Sequence, residues 1–213
     1  MKVEDFYRYI APELPGAPSE LMRQAVMFTA NSFCVDTQVL DMISDSIDLY
    51  PGQADYDMDP MSGAVPVTIK SVWTANRELR PVTMSELFRL LPNWQSASNS
   101  EPSFYNMVKG FGILTVYPTP AEPISAKLTV HAVYAPQQAG QILPDLLFER
   151  YFDAIAAGSK ARLMIQPGQT WSNPRQAVIY NQVYDAAVNE ARGDILHNRV
   201  PGSIRVRPIR FGG

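Results

Sequence analysis

Residues 144–192 read PDLLFERYFDAIAAGSKARLMIQPGQTWSNPRQAVIYNQVYDAAVNEAR, and this stretch decides the fold. Pro144 and Asp145 are typical of a helix start, because proline fits the first turn and an acid there suits the helix dipole. Pro167 and Gly168 interrupt the helical pattern at its other end. The first part of the stretch is therefore predicted to be one helix that stops before Pro167.

A second helix is predicted directly after a short turn. Asn173 is a good N-cap, and Pro174 fits the first helical position. Trp171 lies just ahead of this start and is expected to close the hairpin as a plug, so Trp171, Asn173 and Pro174 are the predicted anchors of the turn. The small residues 156–159 allow backbones to approach closely, and a short turn makes the helices antiparallel neighbours. The apolar face of the second helix contains Ala177, Tyr180, Tyr184, Ala187, Val188 and Ala191.

A third long helix is predicted near the N-terminus. A short helix over residues 2–11 is followed by breaks at Pro15, Gly16 and Pro18, and the next helix then runs from Ser19 to about Asp36. Its apolar residues cover a wide face, which indicates burial on more than one side. Residues 1–36 and 144–199 are together predicted to form an antiparallel helical bundle.

The segment between these helices has the pattern of β-structure. Ile43, Ile47 and Leu49 alternate with polar residues, as in a half-buried strand, and alternation over residues 124–135 predicts the clearest strand. A brief helix is predicted from Met84 to Leu91, and a tight hairpin turn over residues 108–111. We therefore predict an α+β chain in which residues 37–143 form an inserted antiparallel β-rich domain.

Composition narrows the functional class. The 213 residues carry 18 basic and 21 acidic side chains, a formal charge of −3, which does not indicate general attraction to nucleic acid. The charge is uneven, because four arginines and no acid follow Asp194, which leaves −3 − 4 = −7 for the rest of the chain. An acidic body therefore precedes a basic C-terminal arm over residues 200–213.

The single cysteine and the absence of a long apolar run lead us to expect a reducing, cytoplasmic compartment. Cys34 falls inside a predicted helix, where a buried free thiol is expected, and one cysteine forms neither an intramolecular disulfide nor a zinc site. The N-terminus lacks an apolar run of signal-peptide length, and no stretch approaches the roughly 20 apolar residues of a membrane span. We expect a protein that is made and kept in a reducing cytoplasm and does not enter a membrane.

Motifs for catalysis and metal binding are weak. His131 falls on the polar face of a predicted strand and is expected to be a surface or hydrogen-bonded residue, and His197 lies near a helix end. The D-x-D-x-D pattern at residues 55–59 begins like a calcium loop, but Pro60 and Pro66 stand where such a loop needs glycine and glutamate. No nucleophile elbow or phosphate-binding loop is present. No catalytic residue, cofactor or metal is predicted.

The C-terminal arm, VPGSIRVRPIRFGG, combines large apolar residues with arginines. A free tail usually carries fewer large apolar groups, so an arm that docks in a protein groove or adds to a sheet edge fits this pattern. A basic arm that touches nucleic acid is the competing interpretation. The predicted docking residues are Arg205, Arg207, Ile209, Arg210 and Phe211.

Several phrases along the chain carry a resemblance. They are DLYPGQADYDMDP (48–60), VPVTIKSVW (65–73), RELRPVTMSELFRLLPNW (77–94) and EPSFYNMVKGFGILTVYPTP (101–120), followed by the proline-led helix and turn of 143–174 and the Tyr- and Ala-rich helix after it. In this combination and order the chain resembles the head-to-tail adaptor, or connector, proteins of short-tailed bacteriophages.

The resemblance implies a structural, non-enzymatic virion protein at the neck of the particle, assembled in the host cytoplasm. It implies a homo-oligomeric ring, typically dodecameric, between the portal protein and the tail nozzle or tail tube protein, with the arm reaching the portal. Genomic DNA would pass through such a ring without sequence recognition. Two other classes stay open from the residues: a carbohydrate-active or sugar-binding β module using Trp73, Trp94 and Trp171, and a DNA-packaging factor with a basic tail.

Overall fold

The three long helices lie where the sequence predicts them. The computed structural model describes residues 2–44, 46–58, 63–74, 77–99, 101–108, 112–121 and 124–199. Short 3-10 turns at Val3–Phe6 and Ala11–Glu13 flank the first helix. The helices are α1 (Tyr7–Ile10), α2 (Ser19–Thr37), α3 (Met84–Leu90), α4 (Asp145–Met164) and α5 (Pro174–Arg199).

Helix α2 ends in a left-handed residue. Gln38 has φ 59°, and its N–H donates to the carbonyl of Cys34 at 2.8 Å. The Thr37 hydroxyl donates to the Phe33 carbonyl at 2.6 Å. Because the carbonyls of the last helical turn lack partners within the helix, these bonds close its end and turn the chain into the first sheet.

Among the described residues, ten strands form the β part of the fold. They are β1 (Asp41–Ile43), β2 (Ile47–Leu49), β3 (Asp55–Asp57), β4 (Ala64–Trp73), β5 (Arg80–Pro81), β6 (Ser98–Asn99), β7 (Phe104–Val108), β8 (Ile113–Tyr117), β9 (Thr119–Pro120) and β10 (Ile124–Pro136). Strand β10 pairs antiparallel with β1, β2 and β4, and a second sheet has the order β3-β8-β7-β5. The β5–β7 and β6–β9 pairs are parallel. The predicted α+β class with antiparallel sheets is confirmed.

The prediction of one half-buried strand containing Ile43, Ile47 and Leu49 is wrong in one respect. The segment forms two short strands that pair with different parts of β10: Ile43 lies opposite His131, and Ile47 lies opposite Leu128. Ile43 is 66% exposed while Leu49 is buried, so the two residues do not share a buried face. Because the ladder is interrupted between the strands, the alternation of one strand does not continue into the other.

One cluster of buried side chains joins α1, α2, α4 and α5 to the two four-stranded sheets. It includes Phe6, Phe33, Leu128, Tyr134 and Ile155. The division into a bundle of residues 1–36 and 144–199 and an inserted domain of residues 37–143 therefore stays a prediction about the organisation of the chain. A second, smaller core lies beneath α3 and contains Val82, Leu87 and Tyr117, with Leu91, Trp94 and Phe104 packed against it.

Helix α4 packs tightly against α2 and α5 at Gly158. A Cβ atom at this position would lie 2.6 Å from Thr29 Cγ2 of α2 and 2.7 Å from Tyr184 Cδ2 of α5. Such distances are shorter than van der Waals contact, so only glycine fits between the two neighbouring helices. At Gly158, one of the small residues 156–159, side chains of α2 and α5 therefore pack directly against the α4 backbone.

Candidate interaction surfaces

The turn between α4 and α5 contains Asn173 at the position of an N-cap and Pro174 at the helix start. The Asn173 side-chain oxygen accepts from the Gln176 N–H at 3.2 Å, which is the geometry of an N-cap, and α5 begins at Pro174. The Asn173 N–H also donates to the Met164 carbonyl at 2.8 Å. These bonds tie the start of α5 to the end of α4 and fix the direction of the hairpin.

Trp171 anchors the same turn by burial. Its side chain belongs to the main core, and its indole N–H is buried with no hydrogen-bond partner among the described residues. The neighbouring Thr170 hydroxyl donates to the Pro15 carbonyl at 3.2 Å. The predicted anchors Trp171, Asn173 and Pro174 are thus brought together, and the turn contacts the N-terminal segment as well.

The predicted docking residues of the arm are Arg205, Arg207, Ile209, Arg210 and Phe211, and they lie outside the described residues. The last described residue is Arg199, in helix α5.

The outward face of α5 exposes apolar side chains. Ile179 and Val183 are each 48% exposed, and Val178 is 57% exposed. Ile179 and Val183 are one helical turn apart, so they lie on the same face. Residues on the opposite side of the helix, such as Ala177 and Ala191, are buried against the core. The helix therefore presents a narrow apolar stripe away from its own fold.

A groove of about 500 Å³ lies between α2, α4 and α5. Its lining contains small and apolar residues of all three helices together with a few charged and amide side chains. These residues are Thr29, Ser32, Asp36, Gly158, Ala161, Arg162, Ile165, Ala177, Val178, Asn181, Gln182 and Tyr184.

Polar groups lie at both ends of the groove and within it. Arg162 stacks over the Phe28 ring at 5.6 Å, and Ile165 beside it is 62% exposed. At the other end the Asp36 carboxylate lies 3.7 Å from the Arg192 guanidinium, and both side chains are 49% exposed. Tyr184 lies between these ends, where burial raises its pKa to about 12, and its hydroxyl has no hydrogen-bond partner among the described residues.

A second exposed apolar patch lies on α3 and was missed by sequence reasoning. Met84 is 40% exposed, Phe88 56% and Leu90 42%. Phe88 packs edge-on against Trp94 at 5.9 Å, and Trp94 packs in the same way against Tyr117. Phe88 is thereby held in place on the surface although it is not buried.

The start of α3 carries a signal that the sequence does contain. Thr83 and Glu86 form a capping box, in which the Thr83 hydroxyl accepts from the Glu86 N–H and the Glu86 carboxylate accepts from the Thr83 N–H. The hydrogen bonds from Thr83 lower the pKa of Glu86. This T-x-x-E spacing marks a stable helix start, and the apolar residues that follow it are therefore presented on a defined surface.

A polar cluster connects the N-terminal segment to both helices of the hairpin. Glu13 accepts from Lys160 of α4 at 2.6 Å and from the Tyr180 hydroxyl of α5. Burial raises the pKa of Glu13, but the hydrogen bonds from Lys160 and Tyr180 outweigh it and lower the pKa overall. Lys160 also lies 5.0 Å over the Tyr180 ring. The cluster holds three elements together.

The remaining titratable candidates have structural partners. His131 Nε2 lies 2.7 Å from Asp41 Oδ1, and Lys70 donates to the other carboxylate oxygen at 2.7 Å, so the expectation of a hydrogen-bonded histidine is confirmed. Cys34 is fully buried, and burial raises the pKa of its thiol, as the sequence predicted for an unreactive cysteine. Within the described ranges no group of three His, Cys, Asp or Glu side chains could hold a metal ion.

The acidic triplet and the tryptophans lie in different surroundings. Asp55 accepts from the Thr115 hydroxyl at 2.7 Å, Asp57 is exposed, and Asp59 lies outside the described residues. Trp73 is 47% exposed at the end of β4, whereas Trp94 packs in the smaller core and Trp171 in the larger one. The tryptophans thus have three separate packing roles.

Two global findings complete the description. In the part of the chain that the structure describes, none of the helices has the length and apolar character needed to span a membrane. The sequence matches no protein-family model and no curated protein.

Proposed function

We propose that this chain is a head-to-tail adaptor of a short-tailed bacteriophage, a non-enzymatic protein that forms a ring between the portal and the tail nozzle or tail tube. The proposal rests on the sequence resemblance and on one structural observation, the outward apolar stripe of α5. Ile179 and Val183 are half exposed on a helix whose other side is buried. Exposed apolar residues grouped on one helix face are typical of protein contacts.

The stripe supports ring formation through contact between copies. A closed ring needs a head-to-tail contact in which two different surfaces of the same chain meet. In the proposed ring, Ile179 and Val183 bury against the next copy. Complete burial of an aliphatic side chain contributes about 1.5–3 kcal/mol, so two half-exposed residues add roughly 2 kcal/mol per contact. This free energy is small for one interface, but the same contact is repeated between every pair of neighbouring subunits in the ring. The resemblance implies a ring of twelve subunits.

The other surfaces are assigned to the two neighbours in the virion. The arm of residues 200–213 leaves the end of α5 and is proposed to dock on the portal. The α3 patch of Met84, Phe88 and Leu90 lies on the β part of the fold and is proposed to face the tail. The charge of −3 − 3 = −6 outside the arm suits a channel through which genomic DNA slides without binding.

The test is assembly with the portal protein of the same virus. Purified chain is mixed with portal rings and observed by negative-stain electron microscopy and co-sedimentation, with the double variant Ile179→Glu/Val183→Glu beside the wild type. We expect a second ring on the portal for the wild type. For the variant we expect no closed ring, because two carboxylates would have to be desolvated in each contact.

The matched control is Asn189→Glu. Asn189 is an exposed residue of the same helix, away from Ile179 and Val183, so the control adds the same kind of charge without entering the stripe. It should assemble like the wild type. Failure of the wild-type chain to bind portal would overturn the proposed function, and closed rings formed by the double variant would overturn the role assigned to the stripe.

A further inference from the structure

The helical part of the fold carries two separate apolar surfaces. One is the stripe of Ile179 and Val183 on α5, and the other is the groove between α2, α4 and α5. Asn181 lines the groove, and Asn181 and Val183 project about 160° apart because they are two positions apart on a helix with 3.6 residues per turn. The stripe therefore faces away from the groove of its own chain, so the two surfaces can meet only between different copies.

All three helices contribute exposed apolar side chains to the groove or its rim. Ile165 of α4 and Val178 of α5 line it and are 62% and 57% exposed. Phe28 of α2 is 37% exposed and lies beneath the guanidinium of Arg162, which is another lining residue. Apolar groups left exposed around one concave surface are typical of a site that binds an apolar partner.

The outer face of α5 has the residue spacing of a helix that enters such a groove. Ile179, Val183 and Ala186 are all exposed and follow one another at positions i, i+4 and i+7. This spacing places the three side chains on one face, as in helices that lay an apolar face into a hydrophobic groove of another protein. An α5 helix from a second copy would pack beside α2, α4 and α5 as a fourth helix of the bundle.

The charges of the two surfaces are complementary. Glu190 is exposed one turn after Ala186, on the same face of α5 as the stripe. Arg162 is exposed in the groove. Neither Glu190 nor Arg162 forms an ion pair with another residue that the structure describes. A carboxylate on the incoming helix can therefore pair with a guanidinium in the groove that receives it.

The two ends of the groove set the direction of the incoming helix. Arg162 lies near the start of α5, because the carbonyl of Met164, two residues later, accepts from the Asn173 N–H. Asp36 lies at the other end of the groove, where a second carboxylate would be repelled. A helix that enters with Glu190 at the arginine end runs antiparallel to the α5 that receives it.

We propose that Ile179, Val183 and Ala186 of one copy pack into the groove between α2, α4 and α5 of the next copy, with Glu190 of the first beside Arg162 of the second. Each copy then offers one stripe and one groove, so the contact is heterologous and can repeat from copy to copy. The inference rests on the proposed function in one respect, which is that the series of contacts closes into a ring.

The test is cross-linking between two single variants of the full-length chain, Val183→Cys and Ser32→Cys, which carry tags of different mass. Ser32 lines the groove. The variants are mixed at about 1 mM protein, where contacts with a millimolar Kd are populated, and treated with a short bismaleimide. The native Cys34 is fully buried and burial raises its pKa, so it is not expected to react.

The matched control replaces Val183→Cys with Asn181→Cys. Both positions are exposed on α5, but Asn181 belongs to the groove, so this mixture presents two groove thiols and no stripe thiol. We expect the Val183→Cys and Ser32→Cys mixture to give the mixed product on the order of ten times faster than the control, because a formed contact holds the two thiols at a high effective concentration. Equal rates for the two mixtures would overturn the proposal. Homodimers of Val183→Cys that form as fast as the mixed product would also overturn it, since they would indicate that stripe packs on stripe.

A charge exchange tests the direction of the helix. Adding Glu190→Arg to the Val183→Cys chain should slow formation of the mixed product about threefold, as expected for an exposed ion pair. Adding Arg162→Glu to the Ser32→Cys chain should then restore the rate. An unchanged rate after the first substitution, or no recovery after the second, would contradict the pairing of Glu190 with Arg162.

These experiments need no portal, so their outcome is separate from that of the proposed function. The mixed product from a chain that never binds portal rings would support the contact between stripe and groove and overturn only the proposed function. Binding to portal rings by a chain that gives no mixed product above the control would overturn only this inference.

Discussion

Replacing Gly158 with alanine tests the tight packing of α4 against α2 and α5. The added Cβ would lie 2.6 Å from Thr29 Cγ2 and 2.7 Å from Tyr184 Cδ2. Neither atom moves easily, because Thr29 is a buried β-branched residue and Tyr184 Cδ2 belongs to a rigid ring. The substitution therefore forces α2 or α5 away from α4.

The net effect is a balance of two terms. Overpacking of a close-packed site costs about 1–3 kcal/mol, and two immobile contacts place Gly158→Ala in the upper part of this range. Alanine in a helix interior is favoured over glycine by about 1 kcal/mol. We expect the free energy of unfolding to fall by about 1–2 kcal/mol, which for a chain of this size corresponds to a melting temperature about 2–8 °C lower.

The assay is thermal and urea unfolding followed by circular dichroism, with Gly193→Ala as the matched control. Gly193 also lies within a helix, α5, and a Cβ there would meet no atom within 4 Å. The control should therefore gain up to about 1 kcal/mol from helix propensity alone. The two glycine-to-alanine substitutions are predicted to have opposite signs.

Gly158→Ala as stable as the wild type would refute the reasoning, since it would mean that the three helices do not approach this closely. A double-mutant cycle with Thr29→Ser sharpens the test. Serine removes the Cγ2 atom that the new Cβ would meet, so the cycle should recover at least about 0.5 kcal/mol relative to additivity.

Three further outcomes are expected. Deletion of residues 200–213 is expected to leave the far-UV circular dichroism unchanged, because the arm follows the last helix, and to abolish co-sedimentation with portal rings, because the arm carries the proposed docking residues. Full binding of the truncated chain to portal rings would contradict the role assigned to the arm. Glu13→Gln lowers the free energy of unfolding by about 1 kcal/mol at neutral pH, a value reduced for the 40% exposure of Glu13. Because the folded-state pKa of Glu13 lies below its ordinary 4.5, this difference is complete above pH 4.5 and disappears as the pH falls through the lowered pKa; a difference that persists at lower pH would refute the assignment. Trp171→Ala is expected to lower the free energy of unfolding by about 3 kcal/mol through loss of buried contacts. Trp171→Phe is expected to change it by less than about 1 kcal/mol, because the lost N–H has no partner among the described residues. Equal losses for the two variants in urea unfolding would contradict the conclusion that Trp171 anchors the turn by burial alone.

Elements with a local signal could be predicted from the sequence. The start of α5 at Asn173 and Pro174 depends on capping and proline geometry within a few residues, and both are present in the chain itself. Strand β10 is long and regularly alternating, so its existence was also evident. The local alternation pattern did not predict the exposure of Ile43. The strand is interrupted between β1 and β2, so Ile43 does not share the buried face of Leu49.

The surfaces required the tertiary structure. Periodicity places Ile179 and Val183 on α5, but whether that face is covered depends on where α2 and α4 pack. The same is true of Phe88 on α3, which Trp94 holds at the surface. The groove is lined by residues of three helices that lie far apart in the chain.

The sequence by itself determined the α+β class, the helical hairpin with its turn at Trp171, Asn173 and Pro174, and the contrast between an acidic body and a basic arm. Each of these follows from interactions between residues close in the chain or from composition. Only the tertiary structure decided that Gly158 has no room for a side chain, that one face of α5 is left uncovered, and that a groove lies between α2, α4 and α5. These features depend on distances between residues far apart in the chain, which no local pattern encodes.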